Sequence, residues 1–179
     1  MRCGAVAPAP SNAGLRRREA DVAIRVADSV PDWLIGRKLG ELQFKIYGLR
    51  RRHGAIGIKT IGQLAAESRW IGFEQDSRDL KFDRWLAEVV PAEHVALRVD
   101  NFGHALAMVR AGLGIALLPS FLEDTEPTLQ PFSAPIAELQ TPLWLITHPE
   151  LKNTARIQVM LRAFGPALAH ALEEAQAAA

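Results

Sequence analysis

Three short groups of residues have types that could hold a small ligand, and each stands where a strand gives way to a loop or a helix. Arg25 stands near the end of the run Asp21-Val22-Ala23-Ile24-Arg25-Val26, and its guanidinium could pair with a ligand carboxylate. Phe73-Glu74-Gln75-Asp76-Ser77 follows the run WIGF; Ser77 could donate a hydrogen bond while Phe73 packs on the ligand. Asp100-Asn101-Phe102 opens a third amphipathic stretch. In open α/β sheets, ligands sit outside the carboxyl ends of strands, where helix amino termini point unpaired N–H groups at them. Each group also has a plainer reading. Arg25 can be a solvated or structural arginine, Ser77 and Phe73 a cap and a core aromatic, and Asp100, Asn101 and Phe102 a cap followed by a core ring.

Other chemistries find no footing in the residues. A nucleophile elbow of the G-x-S-x-G type, a phosphate-cradling P-loop and a G-x-G-x-x-G after a strand are all missing from the sequence, and the GLG at 112–114 precedes its strand. His53, His94, His104, His148 and His170 are spread too evenly for ligand spacing, and the lone cysteine is Cys3. No metal, no cofactor and no catalysis are therefore expected. Arg16–Arg18 and Arg50–Arg52 read as solvated faces, because no aromatic platform or reading helix accompanies them. Formal net charge is +1, from 21 basic and 20 acidic side chains, which argues against nucleic acid or an anionic membrane as a partner.

The elements that must position these residues alternate. At 179 residues and 49% apolar types, the chain can bury one sizeable core or two smaller ones. Residues 1–14 read as a disordered tail with no secretory apolar region, and no later apolar run reaches the roughly 18 residues of a membrane span. Such a chain is expected to be soluble and cytoplasmic. After a helix ending near LRRRE, period-two spacing of Val22, Ile24 and Val26 predicts a strand, and a second strand centres on 44–47. RRRHGAIG reads as an exposed loop. Thr60 and Gln63 have capping-box spacing for a helix through Glu67. WIGF is the next strand, and Phe82, Trp85, Leu86, Val89 and Val90 trace an amphipathic helix stopped by Pro91. A strand over 95–99 leads to a helix capped by Asp100 or Asn101, whose end at Gly112 has the form of a Schellman cap.

Ile115 to Leu118 then form a strand covered on both faces, and Ser120 with Glu123 predicts another capped helix. A proline-rich return precedes the strand LWLIT. In the closing helix Thr154 is the expected cap, Ile157, Met160, Leu161, Phe164, Leu168 and Leu172 form the expected buried stripe, and Pro166 predicts a kink or break.

The segments ADVAIRV, WIGF, VDNFGHALAMVRAGLGIALLP and PLWLITHPELKNTARIQ, in this order and spacing, resemble the effector-sensing domain of LysR-type transcriptional regulators over residues 15–172. The resemblance implies an α/β, type 2 periplasmic-binding-protein-like fold: two lobes of mainly parallel sheet with helices on both faces, and a small, anionic effector in the cleft between them. Residues 44–128 would form lobe II, and residues 15–43 and 129–179 parts of lobe I. The family also places effector contacts in the loop after WIGF, and its sensing domains pair as homo-oligomers. A winged helix-turn-helix, and the strand and helix that open the first lobe, would precede residue 15 in such a regulator. The chain therefore reads as truncated, with an incomplete first lobe and DNA bound only through a helix-turn-helix that this chain lacks. A solute-binding protein of the same fold, or an inactive gene remnant, are the alternative readings.

Overall fold

The computed structural model describes residues 20–50, 57–74 and 80–177. The expected tail over 1–14, the helix end at LRRRE, most of the RRRHGAIG loop and Ser77 lie outside them. In chain order the elements are β1 (Val22–Val26), β2 (Ile35–Leu42), β3 (Phe44–Leu49), α1 (Ile61–Glu67), β4 (Trp70–Phe73), α2 (Leu80–Val89), β5 (Val95–Val99), α3 (Phe102–Arg110), β6 (Ala116–Pro119), α4 (Leu122–Thr125), β7 (Leu129–Pro131), β8 (Thr141–Thr147) and α5 (Ala155–Ala177). Short 3₁₀ turns cover Ala92–His94 and Ala137–Leu139.

The chain divides into two compact units, one holding the residues up to Leu42 with Thr141–Ala177, the other Gln43–Gln140. Residues 129–140, expected in the first lobe, belong to the second unit. The reason is covalent order giving way to pairing: β7 is hydrogen-bonded to β3, with Gly48 opposite Gln130. The segment after it is also held there, because the Trp85 indole donates to Glu138 at 2.6 Å and Lys81 donates to the Gln140 carbonyl at 2.8 Å.

In the first unit, β8 runs between β1 and β2 and is antiparallel to both. Leu34 and Ile146 are buried on one face with Ala23, Val30, Trp33 and Trp144 packed around them. The opposite face carries α5, where the Arg37 side chain lies against Gly165 and a Cβ at Gly40 would meet Leu172. Ile157 and Leu172 are buried there. Met160 and Phe164 are not: they are 38% and 56% exposed, because α5 packs chiefly on β2 and leaves this flank uncovered. The helix runs through Pro166 without a break, and Thr154 donates its hydroxyl to the Leu151 carbonyl instead of capping the helix with it.

In the second unit β4 and β5 are parallel, while β3 is antiparallel to β6 and to β7. Trp70 and Ile115 join these sheets through a parallel bridge, in which the Ile71 N–H donates to the Ile115 carbonyl and the Ile115 N–H to the Arg69 carbonyl, both at 2.8 Å. The strands thus lie in the order β5-β4-β6-β3-β7. The expectation of mainly parallel sheets holds only for β5, β4 and the start of β6. Helical crossovers set those directions, whereas β3 is flanked by strands of the returning chain.

The joint at 109–119 folds as its residues predict. The Leu113 N–H donates to the Met108 carbonyl and the Gly112 N–H to the Val109 carbonyl, the two bonds of a Schellman cap, with Gly112 at φ +73°. Gly114 follows where a Cβ would sit 2.6 Å from the Arg69 carbonyl oxygen, so the close bridge requires glycine. All four residues of β6 are buried. Ser120, the predicted cap of the next helix, instead accepts the Tyr47 hydroxyl on its carbonyl, and α4 starts without a side-chain cap.

Candidate functional site

The parallel register sets Phe73 opposite Val99, so the carboxyl ends of β4 and β5 open at the same edge of the second unit. The ladder continues one bond further, from the Glu74 N–H to the Val99 carbonyl at 2.9 Å. Asp100, Asn101 and Phe102 follow directly and begin α3. Asn101 is extended, at φ −155°, and its Oδ1 accepts the His104 N–H at 2.8 Å, as an N-cap must. Its Nδ2 donates to Asp100 Oδ1 at 3.0 Å, and that same oxygen contacts His104 Nδ1 at 2.5 Å. Asp100 and His104 are both more than half exposed. Asp100 therefore supports the cap and its neighbouring imidazole at the start of α3, which follows directly on β5.

Phe73 and Phe102 meet edge to face, with ring centroids 4.9 Å apart and planes at 72°. Phe102 also packs edge to face on Phe82 at 5.7 Å and lies 5.5 Å from Phe44, while Phe44 and Phe82 are 4.5 Å apart. These four rings form one cluster under the strand ends. Phe73 is buried within it, which gives it the role of a core aromatic; Phe102 stays half-buried at the rim. A ring at the rim, beside helix N–H groups, is the arrangement that can receive an organic anion.

Two further residues shape this edge and were missed by sequence reasoning. Arg98 Nη1 donates to the Phe73 carbonyl at 2.8 Å and to Asp83 Oδ1 at 2.5 Å. One guanidinium thus ties β5, the end of β4 and the first turn of α2 together. The sequence signal was there in principle, since Asp83 is acidic in a helix first turn and Arg98 lies on the exposed face of a strand, but only the crossover brings them together.

Arg25 lies on β1 of the first unit, with Trp144 as its cross-strand neighbour. Asp100, Asn101, Phe102 and Phe73 are brought together; Arg25 belongs to the other unit. Elsewhere in the second unit, a groove of about 480 Å³ is lined by Ile58–Ile61 and 133–138, and none of the candidate ligand-contact residues Arg25, Phe73, Asp100, Asn101 and Phe102 is among its lining. Among the described residues, no group of three or more His, Cys, Asp or Glu side chains could hold a metal ion, and no helix is long and apolar enough to cross a membrane.

Residues 8–169 match the family model described as the LysR substrate binding domain. Among curated proteins, none matches the chain. Among solved structures, the regulatory domain of CrgA, a LysR-type transcriptional regulator from Neisseria meningitidis, superposes with a TM-score of 0.68 at 19% identity, over 88% of this chain and 79% of that one. CrgA itself gives 0.63 at 21% identity, over 91% of this chain and 56% of that one, so the chain spans little more than half of the complete regulator. A sulfate-bound regulatory domain of an OxyR2 variant from Vibrio vulnificus gives 0.60 at 19% identity, over 88% and 75%. At these identities the structures show the shared fold alone.

Proposed function

The chain belongs to the LysR substrate-binding domain family, and from that premise we propose that it senses a small organic anion at the carboxyl ends of β4 and β5. The family acts by binding, not by catalysis. The observation that carries the proposal is the convergence of the α3 amino terminus, capped by Asn101, with the half-buried Phe102 ring at one strand edge. Helix N–H groups favour negative charge, each such interaction being worth about 0.3–1 kcal/mol. The aromatic rim favours an apolar body. Phe73 supports Phe102 from beneath, Arg98 fixes the end of β4, and Asp100 positions the cap. Arg25, on β1 of the first unit, is kept as a separate candidate for a carboxylate contact. The sulfate-bound OxyR2 relative is in keeping with an anionic ligand.

Coupled to a DNA-binding segment in a cytoplasmic homo-oligomer, ligand occupancy would shift a conformational equilibrium by the differential affinity of its two states. A solute-binding protein of the same fold would bind at the same edge without such coupling. Thermal shift of the purified chain against a panel of small aromatic and aliphatic carboxylates tests the binding step. At least one acid is expected to raise the midpoint in proportion to the logarithm of its concentration. A flat response from folded protein overturns the proposal.

A further inference from the structure

The edge of the second unit where β4 and β6 begin and β3 ends carries a short stripe of apolar and cationic side chains. The parallel bridge sets Trp70 beside Ile115, and the pairing of Tyr47 with Ala116, carried two residues further along the antiparallel ladder, sets Leu49 beside Gly114. Arg69, Leu113, Leu49 and Arg50 therefore stand at the ends of three adjacent strands, in the spatial order β4-β6-β3. Close approaches agree with that order: a Cβ on Gly112 would lie 3.5 Å from the Leu49 side chain, and a Cβ on Gly114 would lie 2.6 Å from the Arg69 carbonyl oxygen. Leu49 and Leu113 are 37% and 44% exposed, and both arginines are exposed with them. Charge on this edge is unbalanced. Among the described residues nothing pairs with the Arg69 guanidinium, and Arg50 meets no acid, reaching only the Leu129 carbonyl at 3.4 Å. Glu126 is held by Arg110 at 3.4 Å, and Glu67 by Lys59 at 2.8 Å.

Two exposed leucines between two unneutralised arginines ask for a partner with the complementary order, acid, apolar, apolar, acid. The backbones of β4 and β3 lie two strand spacings apart, about 10 Å. On an α-helix the positions i, i+3, i+4 and i+7 share one face, and i to i+7 spans about 10.5 Å. We propose that this edge docks an acidic amphipathic helix of a partner protein, its carboxylates at i and i+7 meeting Arg69 and Arg50 and its apolar side chains at i+3 and i+4 covering Leu113 and Leu49. A second copy of the same edge would set arginine against arginine, and a phosphate backbone would leave the leucines without an apolar neighbour. With so few apolar side chains in play, the complex is a weak and transient one. The carboxyl ends of β4 and β5 lie at the opposite edge, so the docked helix leaves them open.

Fluorescence anisotropy of a labelled peptide on the order of 15 residues long, with Glu at i and i+7, Leu at i+3 and i+4, and alanine and glutamine elsewhere, tests it. The 179-residue chain is expected to bind this peptide with a Kd that rises roughly tenfold or more on Leu113→Glu and on Arg69→Glu, and that rises with ionic strength. A peptide with Lys in place of both Glu should reverse the order and bind the Arg69→Glu variant more tightly than the unsubstituted chain; this readout stands even if Leu113→Glu fails to fold. No binding by the unsubstituted chain, binding indifferent to both substitutions, self-association of the chain that Leu113→Glu abolishes, or capture of duplex DNA in place of the peptide overturns the proposal.

Discussion

The Arg98 guanidinium donates to the carbonyl of Phe73 across the parallel pair of β4 and β5 while holding Asp83 of α2. The end of β4 is thereby fixed from two sides, by the Val99 carbonyl that accepts the Glu74 N–H and by this side chain. Arg98→Ala should therefore do two things. It should lower stability by about 1 kcal/mol in urea unfolding, modest because the pair is part-exposed. It should also weaken the carboxylate-dependent thermal shift more than that loss explains. An unchanged ligand response with lowered stability would reduce Arg98 to a structural tie.

Removal of the α3 cap tests the other half of the site. Asn101→Ala abolishes the bond to the His104 N–H and is expected to cost about 1 kcal/mol of stability, read from the urea midpoint. Asn101→Ser should restore most of it, since a serine hydroxyl caps comparably. Equal losses in both variants would show that the amide serves Asp100 and not the helix.

The two glycines of the tight joint differ in why they are needed, and the difference is measurable. At Gly112 a Cβ meets only an ordinary contact with Leu49, so Gly112→Ala should cost the left-handed backbone alone, about 1–2 kcal/mol. Gly114→Ala drives a Cβ into the Arg69 carbonyl and breaks the bridge between β4 and β6. Its unfolding midpoint should fall further than that of Gly112→Ala; the reverse order would contradict the bridge geometry.

Gln130 is buried on β7 with neither amide atom hydrogen-bonded. A buried polar group without a partner costs about 1–3 kcal/mol, so Gln130→Met, close in volume, should raise the unfolding midpoint. A fall would show that the amide is satisfied in solution.

Much of this fold was legible because single residues carried unambiguous local signals. Thr60 and Gln63 form both bonds of the predicted capping box, Asn101 caps α3, and Gly112 takes the predicted left-handed turn. β2 was missed since IGRKLGEL has glycines at two positions, three consecutive exposed residues and a register shift between Lys38 and Gly40, which erase the alternation. β7 hid among prolines. Strand direction around β3 could not be read, because an apolar run covered on both faces looks the same either way. In the candidate site, Asn101 and Phe102 were recognisable from their place at a helix start. Arg98 was not, because its partners Phe73 and Asp83 are distant in sequence and meet it only through the crossover. Met160 and Phe164 fitted the apolar period of α5, yet periodicity says nothing about whether a neighbour covers that flank.

The central claim concerns where a ligand lands, and backbone amide chemical shifts of the labelled chain, titrated with the most stabilising carboxylate, report that directly. The account predicts the largest changes at Glu74 and at Phe102, Gly103 and His104, the end of β4 and the first turn of α3. Changes confined to Ile58–Ile61 and 133–138, the separate groove of the same unit, would contradict it.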